Sequence, residues 1–141
     1  MKTHHTQDKG DLGVLKAKLD LLNKGYTILK PEAEHAPFDI VAYKKEKFIR
    51  VQVKYRTLKN NTLRLKFATS WTNKKGTHSQ PYDKDEVDVI CAYCPDTDRC
   101  YYVDLKEFGQ GVYLRLGPPK SAQRAKINMA DNYVSIPRRF N

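Results

Sequence analysis

The chain has 141 residues, enough for one domain around one core and too few for two. Lys and Arg outnumber Asp and Glu by 26 to 16, a net charge of +10, yet 40% of the residues are hydrophobic; this excludes a disordered basic tail and points to a polyanionic partner. No run approaches the roughly 18 apolar residues of a membrane span, residues 1–10 are too polar for an export signal, and three cysteines make no disulfide framework. The expected location is therefore the cytoplasm, or an organelle stroma if the gene is organellar.

Leu12, Leu15, Leu19 and Leu22 recur at helical spacing until Gly25, so residues 11–24 are predicted to form an amphipathic helix with the leucines as its buried stripe. A short apolar strand (26–29) and a loop (30–37) follow. Residues 38–43 and 48–55 are rich in β-formers and flank Lys44-Lys45-Glu46-Lys47, which predicts a hairpin. Residues 62–69 alternate Leu63, Leu65 and Phe67 with polar partners, another strand, whereas 70–82 lacks periodicity and reads as a loop. A second hairpin is predicted from 87–93 and 100–105 around Pro95 to Asp98, then a short strand at 113–116. Pro118 and Pro119 open a polar segment, 120–132, read as helical, with Ala122, Ala125, Met129 and Tyr133 on a shared face. The fold class is α/β (α+β): one domain with a mixed, largely antiparallel central sheet flanked by helices, its core at 9–105 and a C-terminal extension at 106–141.

The charge has a location. Lys44, Lys45, Lys47, Arg50, Lys54, Arg56, Lys59, Arg64, Lys66, Lys74 and Lys75 face one acid, Glu46, within residues 44–75, and the rest of the chain is balanced. Of these, Lys44, Lys45, Lys47, Arg56, Lys59, Arg64, Lys66, Lys74 and Lys75 are candidates for contact with DNA phosphates, and side chains of 62–69 or of the 70–82 loop for reading bases. Trp71 fits either that contact surface or the core.

An antiparallel hairpin centred on residues 44–47 pairs residues whose numbers sum to 91, so Asp39 falls opposite Gln52 and Lys54 lies diagonally beyond on the same face. Alternation leaves Ile49, Val51, Val53 and Tyr55 on the other face. An Asp, a nearby oxygen ligand and a Lys are the parts needed to hydrolyse a phosphodiester. The carboxylate and an amide oxygen suit Mg²⁺ (or Mn²⁺), and the ammonium stabilises charge developing on the phosphoryl group.

Pro37-Phe38-Asp39 followed by Gln52-Val53-Lys54 resembles the PD-(D/E)XK nuclease superfamily, with Gln in place of the second acid. Lys9-Gly10-Asp11-Leu12-Gly13 opening a helix that ends Asn23-Lys24-Gly25-Tyr26, and the later Cys91 to Asp98 hairpin, are similar to the branch that holds group I intron homing endonucleases and related Holliday-junction resolvases. The resemblance implies a site-specific, Mg²⁺-dependent endonuclease of double-stranded DNA acting as a dimer or tetramer, with Asp39, Gln52 and Lys54 as catalytic residues and the Val53 carbonyl as a further metal ligand. A junction resolvase and a catalytically impaired DNA-binding module on the same scaffold are the alternatives. Where the family's first helix supplies a Glu to the metal, this chain has Val14. If the leucine stripe is the buried face, Asp11 lies about 60° from its centre and Val14 about 120°, making Asp11 the better-placed metal ligand.

Cys91, Cys94 and Cys100 invite a zinc reading, but residues three apart on a strand point to opposite faces and three thiols leave the shell short. His4, His5, His35 and His78 have no ligand spacing.

Overall fold

The computed structural model describes residues 5–118 and 127–141. Helix α1 (Thr6–Asn23) is followed by β1 (Thr27–Leu29), β2 (Ile40–Lys44) and β3 (Lys47–Tyr55). Next come β4 (Thr62–Lys66), β5 (Ala68–Asn73), β6 (Gly76–Pro81), β7 (Val89–Cys94), β8 (Arg99–Asp104), β9 (Gly111–Arg115) and β10 (Asn128–Met129). Two 3₁₀ turns, Ala130–Tyr133 and Arg138–Phe140, end the chain. The central sheet runs β1-β2-β3-β7-β8 and is antiparallel except at the β3–β7 pair. It has the predicted mixed, largely antiparallel character.

Each face of that sheet is covered by a different layer. α1 lies on the face that bears Ile49, Val51, Val89, Cys91 and Tyr102. A three-stranded sheet, β10-β9-β4, closes the other face, where Ile90, Ala92, Tyr101 and Val103 meet Leu63, Leu65, Val112 and Leu114. β7 is accordingly buried along its whole length, which explains its run of Val, Ile, Cys, Ala, Tyr and Cys without polar alternation. Residues 106–141 contribute Val112, Leu114, Ala130 and Ile136 to the two cores.

Three expectations need correction. α1 begins at Thr6 and buries Gly13, Ala17 and Leu21, while Leu15, Leu19 and Leu22 are 61%, 55% and 56% exposed. At 100° per residue the buried face is centred about 180° from the leucine stripe. Small residues win the inner side because they allow a close approach: a Cβ on Gly13 would lie 3.5 Å from Val53 Cγ1 and 3.6 Å from Tyr55 Cβ. Residues 70–82 are not a loop but most of a two-stranded arm, β5–β6, in register from Ala68 opposite Pro81 to Asn73 opposite Gly76. Its turn is closed by Asn73 Oδ1, which accepts the Lys75 N–H, and by Gly76 in a left-handed conformation. Of the segment read as helical, residues 120–126 lie outside the described residues, and 127–132 hold β10 and the first 3₁₀ turn.

The predicted hairpin register is present, with Val41 opposite Arg50, Tyr43 opposite Phe48 and Lys44 opposite Lys47. Its two-residue turn places Lys45 and Glu46 at φ +50° and +67°, the left-handed pair that a hairpin of this length requires.

Packing at two glycines gives opposite stability effects. Gly13→Ala fits the available space and removes a helix-interior glycine, so it should raise unfolding free energy by up to about 1 kcal/mol. A Cβ on Gly111 would lie 2.5 Å from the Leu65 carbonyl oxygen, so Gly111→Ala should lower it by about 1–3 kcal/mol. Urea unfolding of the two variants measures both.

Candidate active site

The β2–β3 hairpin holds the candidate site by register. Ile40 pairs with Val51, so Asp39 falls opposite Gln52 at the mouth of the hairpin, with its own N–H donating to the Val51 carbonyl at 3.0 Å. Asp39 Oδ2 accepts the Val53 N–H at 2.8 Å. The carboxylate is thus anchored to β3 through one oxygen. No donor reaches Oδ1 among the described residues. Burial raises the Asp39 pKa, opposed by the Val53 hydrogen bond and the Lys54 charge.

Lys54 is 7% exposed, an unusual position for an ammonium. Its Nζ donates to the Ala68 carbonyl at 3.0 Å and lies 5.1 Å from the centre of the Tyr82 ring. Ala68 opens β5 and Tyr82 directly follows β6, so the two feet of the arm hold this cation. Burial, followed by the charges of Arg56 and Lys66, lowers its pKa to about 8, with Asp39 acting in the opposite direction. Gln52 and Val53 are half-buried on the same strand.

The rotation of α1 reverses the expected placement of Asp11 and Val14. Measured from the true buried face, Val14 lies about 60° from its centre and Asp11 about 120°. Val14 packs against the core, while Asp11 is exposed and accepts a 3.4 Å hydrogen bond from Gln7 Nε2. The structure thus joins Asp39, Gln52, Val53 and Lys54 and leaves Asp11 outside. Among the described residues no three His, Cys, Asp or Glu side chains converge as a metal cluster. Cys91, Cys94 and Cys100 are free and buried.

Two acids that the sequence did not single out border the site. Glu32 and Glu34 share with Asp39 a cavity of about 370 Å³, formed by the loop that precedes β2. The cluster of Pro31, Glu32 and Glu34 just upstream of the Asp was their available signal.

The predicted cations divide into two groups. Lys44 turns inward, its Nζ donating to the Lys24 carbonyl at 2.9 Å and lying 4.9 Å from the centre of the Tyr26 ring, and Lys47 donates to the Asn141 carbonyl. Lys44 is thus half-buried and tied back to the chain, while Lys47 stays exposed on the hairpin. Arg56, Lys59 and Arg64, joined by Lys9, line a basic cavity of about 320 Å³. Lys45, Lys66, Lys74 and Lys75 are exposed. Trp71 is 47% exposed on the arm and stacks on His78 across the ribbon, ring centres 5.5 Å apart.

Two layers around a mixed sheet, with an Asp at the mouth of a hairpin and a Lys two residues past its partner, are the arrangement of a PD-(D/E)XK nuclease. The family model described as PD-(D/E)XK endonuclease matches residues 4–136, and the chain belongs to that family. Among solved structures it is similar to the bacterial homing endonuclease I-Ssp6803I, at 21% identity and a TM-score of 0.70 over 92% of this chain and 88% of that one. It also matches the Holliday junction resolvase Hjc of Archaeoglobus fulgidus, at 13% identity and a TM-score of 0.47 over 76% and 84% of the two chains. No curated protein matches significantly. No helix among the described residues is long and apolar enough to cross a membrane.

The lowered Lys54 pKa sets a pH dependence of stability. Between about 8 and 10.5 the unfolded chain holds the Lys54 proton more tightly than the folded one, so unfolding free energy rises with pH through that window, by up to about 1.4 kcal/mol per unit. Lys54→Met should lack this rise; urea titrations of both proteins at pH 7, 8, 9 and 10 measure the difference.

Proposed function

We propose that this nuclease is a Mg²⁺-dependent endonuclease that hydrolyses phosphodiester bonds in duplex DNA at specific sites, in the manner of intron homing. The observation that carries the reading is Asp39 fixed to the Val53 N–H beside a buried Lys54. The likeness to a bacterial homing endonuclease along nearly the whole chain supports the homing part.

The donor set fits a hard cation. Asp39 Oδ1, the Gln52 amide oxygen and the Val53 carbonyl are all oxygens, and one carboxylate with waters and substrate phosphate is the kind of shell Mg²⁺ accepts. Burial raises the Asp39 pKa, and a cation bound beside it would favour its charged form. Bound at this site, the ion would polarise the phosphoryl oxygens and acidify a water. Asp39 would fix its position, and the Gln52 amide would orient a donor without adding charge. Lys54, protonated at neutral pH with a pKa of about 8, would stabilise negative charge developing on the phosphoryl group.

Affinity would come from the basic cavity and the arm. Lys9, Arg56, Lys59 and Arg64 surround a space suited to backbone phosphates. The arm, a two-stranded ribbon narrow enough for a major groove, carries Trp71, Lys74 and Lys75. A single 141-residue copy covers only part of a long site, which supports a homodimer or tetramer on a pseudo-palindrome.

A second reading, a DNA-binding module with impaired cleavage, is favoured by Val14 in the helix position where the family's carboxylate is expected and by the outward turn of Asp11. Incubation with plasmid and a random-sequence duplex library in Mg²⁺ separates the two. The expected outcome is cleavage that stops with chelator and falls at least about 100-fold in Asp39→Ala and Lys54→Ala, while Asp39→Ala still shifts DNA in a gel. Retained cleavage in Asp39→Ala would remove it from the site, and wild-type binding without cutting would select the second reading.

The cavity makes a separate prediction. Lys59→Ala combined with Arg64→Ala should reduce the slope of log affinity against log salt by about 2 without changing which sequences are preferred. Fluorescence anisotropy on a labelled duplex across a salt series measures that slope.

A further inference from the structure

Leu15, Leu19 and Leu22 are an apolar strip on α1 that the domain leaves more than half exposed. With half-buried Leu12 they follow the 3-4-3 spacing by which one helix seats against another. The strip lies about 180° from the Gly13, Ala17 and Leu21 face that holds α1 to the sheet; Leu12 at its end touches the core and Leu19 lines a cavity with Tyr93 and Val134, but Leu15, Leu19 and Leu22 all stay more than half exposed. Scattered exposed leucines need no explanation, but three more than half exposed on one helix face do.

Charge indicates what covers them. α1 carries Asp8, Asp11 and Asp20 against Lys9, Lys16 and Lys18, so the helix is neutral in a chain of net charge +10. The basic excess lies at residues 44–75, outside the helix. A polyanion has little to hold on this face, and two copies can approach through it without the repulsion that their basic segments would create. The strip is also self-complementary in pattern, and its flanks carry both signs: Asp11 and Lys18 on one side and, on the other, Lys16 in its ion pair with Asp98 at 2.8 Å. Burying the three leucines from each copy removes on the order of 600 Å² of apolar surface from water, about half of what a small standard interface buries, with the flanks to supply the rest.

We propose that α1 packs against α1 of a second copy through Leu15, Leu19 and Leu22, making a two-fold dimer whose basic segments remain free. This gives the oligomer in the reading above a definite surface. It rests on that reading only for the expectation of assembly, and it is tested without DNA or cleavage.

Sedimentation velocity on the full chain, at low to high micromolar protein, should show a dimer. Leu15→Gln combined with Leu19→Gln should weaken association at least tenfold while leaving the far-UV circular dichroism of the monomer unchanged. The three native cysteines are buried, so Leu19→Cys offers one reactive thiol, and a short bismaleimide should link it into a covalent dimer at the same concentrations. A monomeric wild type would overturn the proposal and give the strip to a different protein. So would a double variant that associates like wild type, or a Leu19→Cys dimer that never cross-links, either of which moves the interface elsewhere. None of these outcomes alters the cleavage test, which turns on Asp39 and Lys54.

Discussion

The parallel pairing of β3 with β7 organises the rest of the molecule. Val51 lies opposite Val89 and Tyr55 opposite Tyr93, in the middle of a sheet covered on both faces. Two parallel neighbours cannot be joined by a tight turn, because the chain must travel back along the full strand before it can pair again. Many folds make that return with a helix. Here it is made by residues 56–88, which contain β4, the anchor of the second sheet, and the β5–β6 arm. One topological requirement thus produces both the layer that closes the far side of the core and the projection that carries Trp71, Lys74 and Lys75. Six of the eleven cations in the basic run 44–75, from Arg56 to Lys75, lie on this excursion, and Lys54 stands at the end of the strand that leads into it.

The same return explains how a lysine can be buried. Lys54 points from β3 toward the layer that the excursion builds, and the excursion supplies both of its partners, the Ala68 carbonyl and the Tyr82 ring. A carbonyl and an aromatic face hold an ammonium without neutralising it. The ammonium is therefore held without a counter-charge in direct contact, and its lowered pKa reflects the cost of that incomplete solvation. Asp39 is held by complementary means: one oxygen is used up by the Val53 N–H and the other is left open. Each of the two groups is positioned in part by a backbone atom of a neighbouring segment, the Val53 N–H for Asp39 and the Ala68 carbonyl for Lys54, with the Tyr82 ring as a further side-chain partner of Lys54.

Local pattern was legible in the sequence, while the choice among partners was not. The β2–β3 register followed from two β-rich runs and a central polar turn, and with it the juxtaposition of Asp39, Gln52 and Lys54. Periodicity likewise found α1, but a helical stripe says only that one side differs from the other. Leu12, Leu15, Leu19 and Leu22 outweigh Gly13, Ala17 and Leu21 on any hydrophobic scale, although the smaller residues permit the closer contact with Val53 and Tyr55. That inversion is what displaced Asp11. The arm escaped notice for the opposite reason. A free two-stranded ribbon buries neither face, so alternation has nothing to select, and only Asn73 and Gly76 marked its turn. Lys44 and Lys47 looked like free charges because their acceptors, the carbonyls of Lys24 and Asn141, are distant in sequence.

The exposure of the arm on both faces has a further consequence. From Thr69 to Gln80 every residue except His78 is more than a third exposed, so substitutions along the ribbon cost little in folding free energy as long as its turn and its pairing survive. The core, by contrast, tolerates little change at Gly111, where a Cβ would meet the Leu65 carbonyl, or at the buried Lys54. The residues of the ribbon are therefore constrained by whatever they touch rather than by the stability of the domain. The arm's sequence can thus change freely while the packed layers beneath it stay fixed.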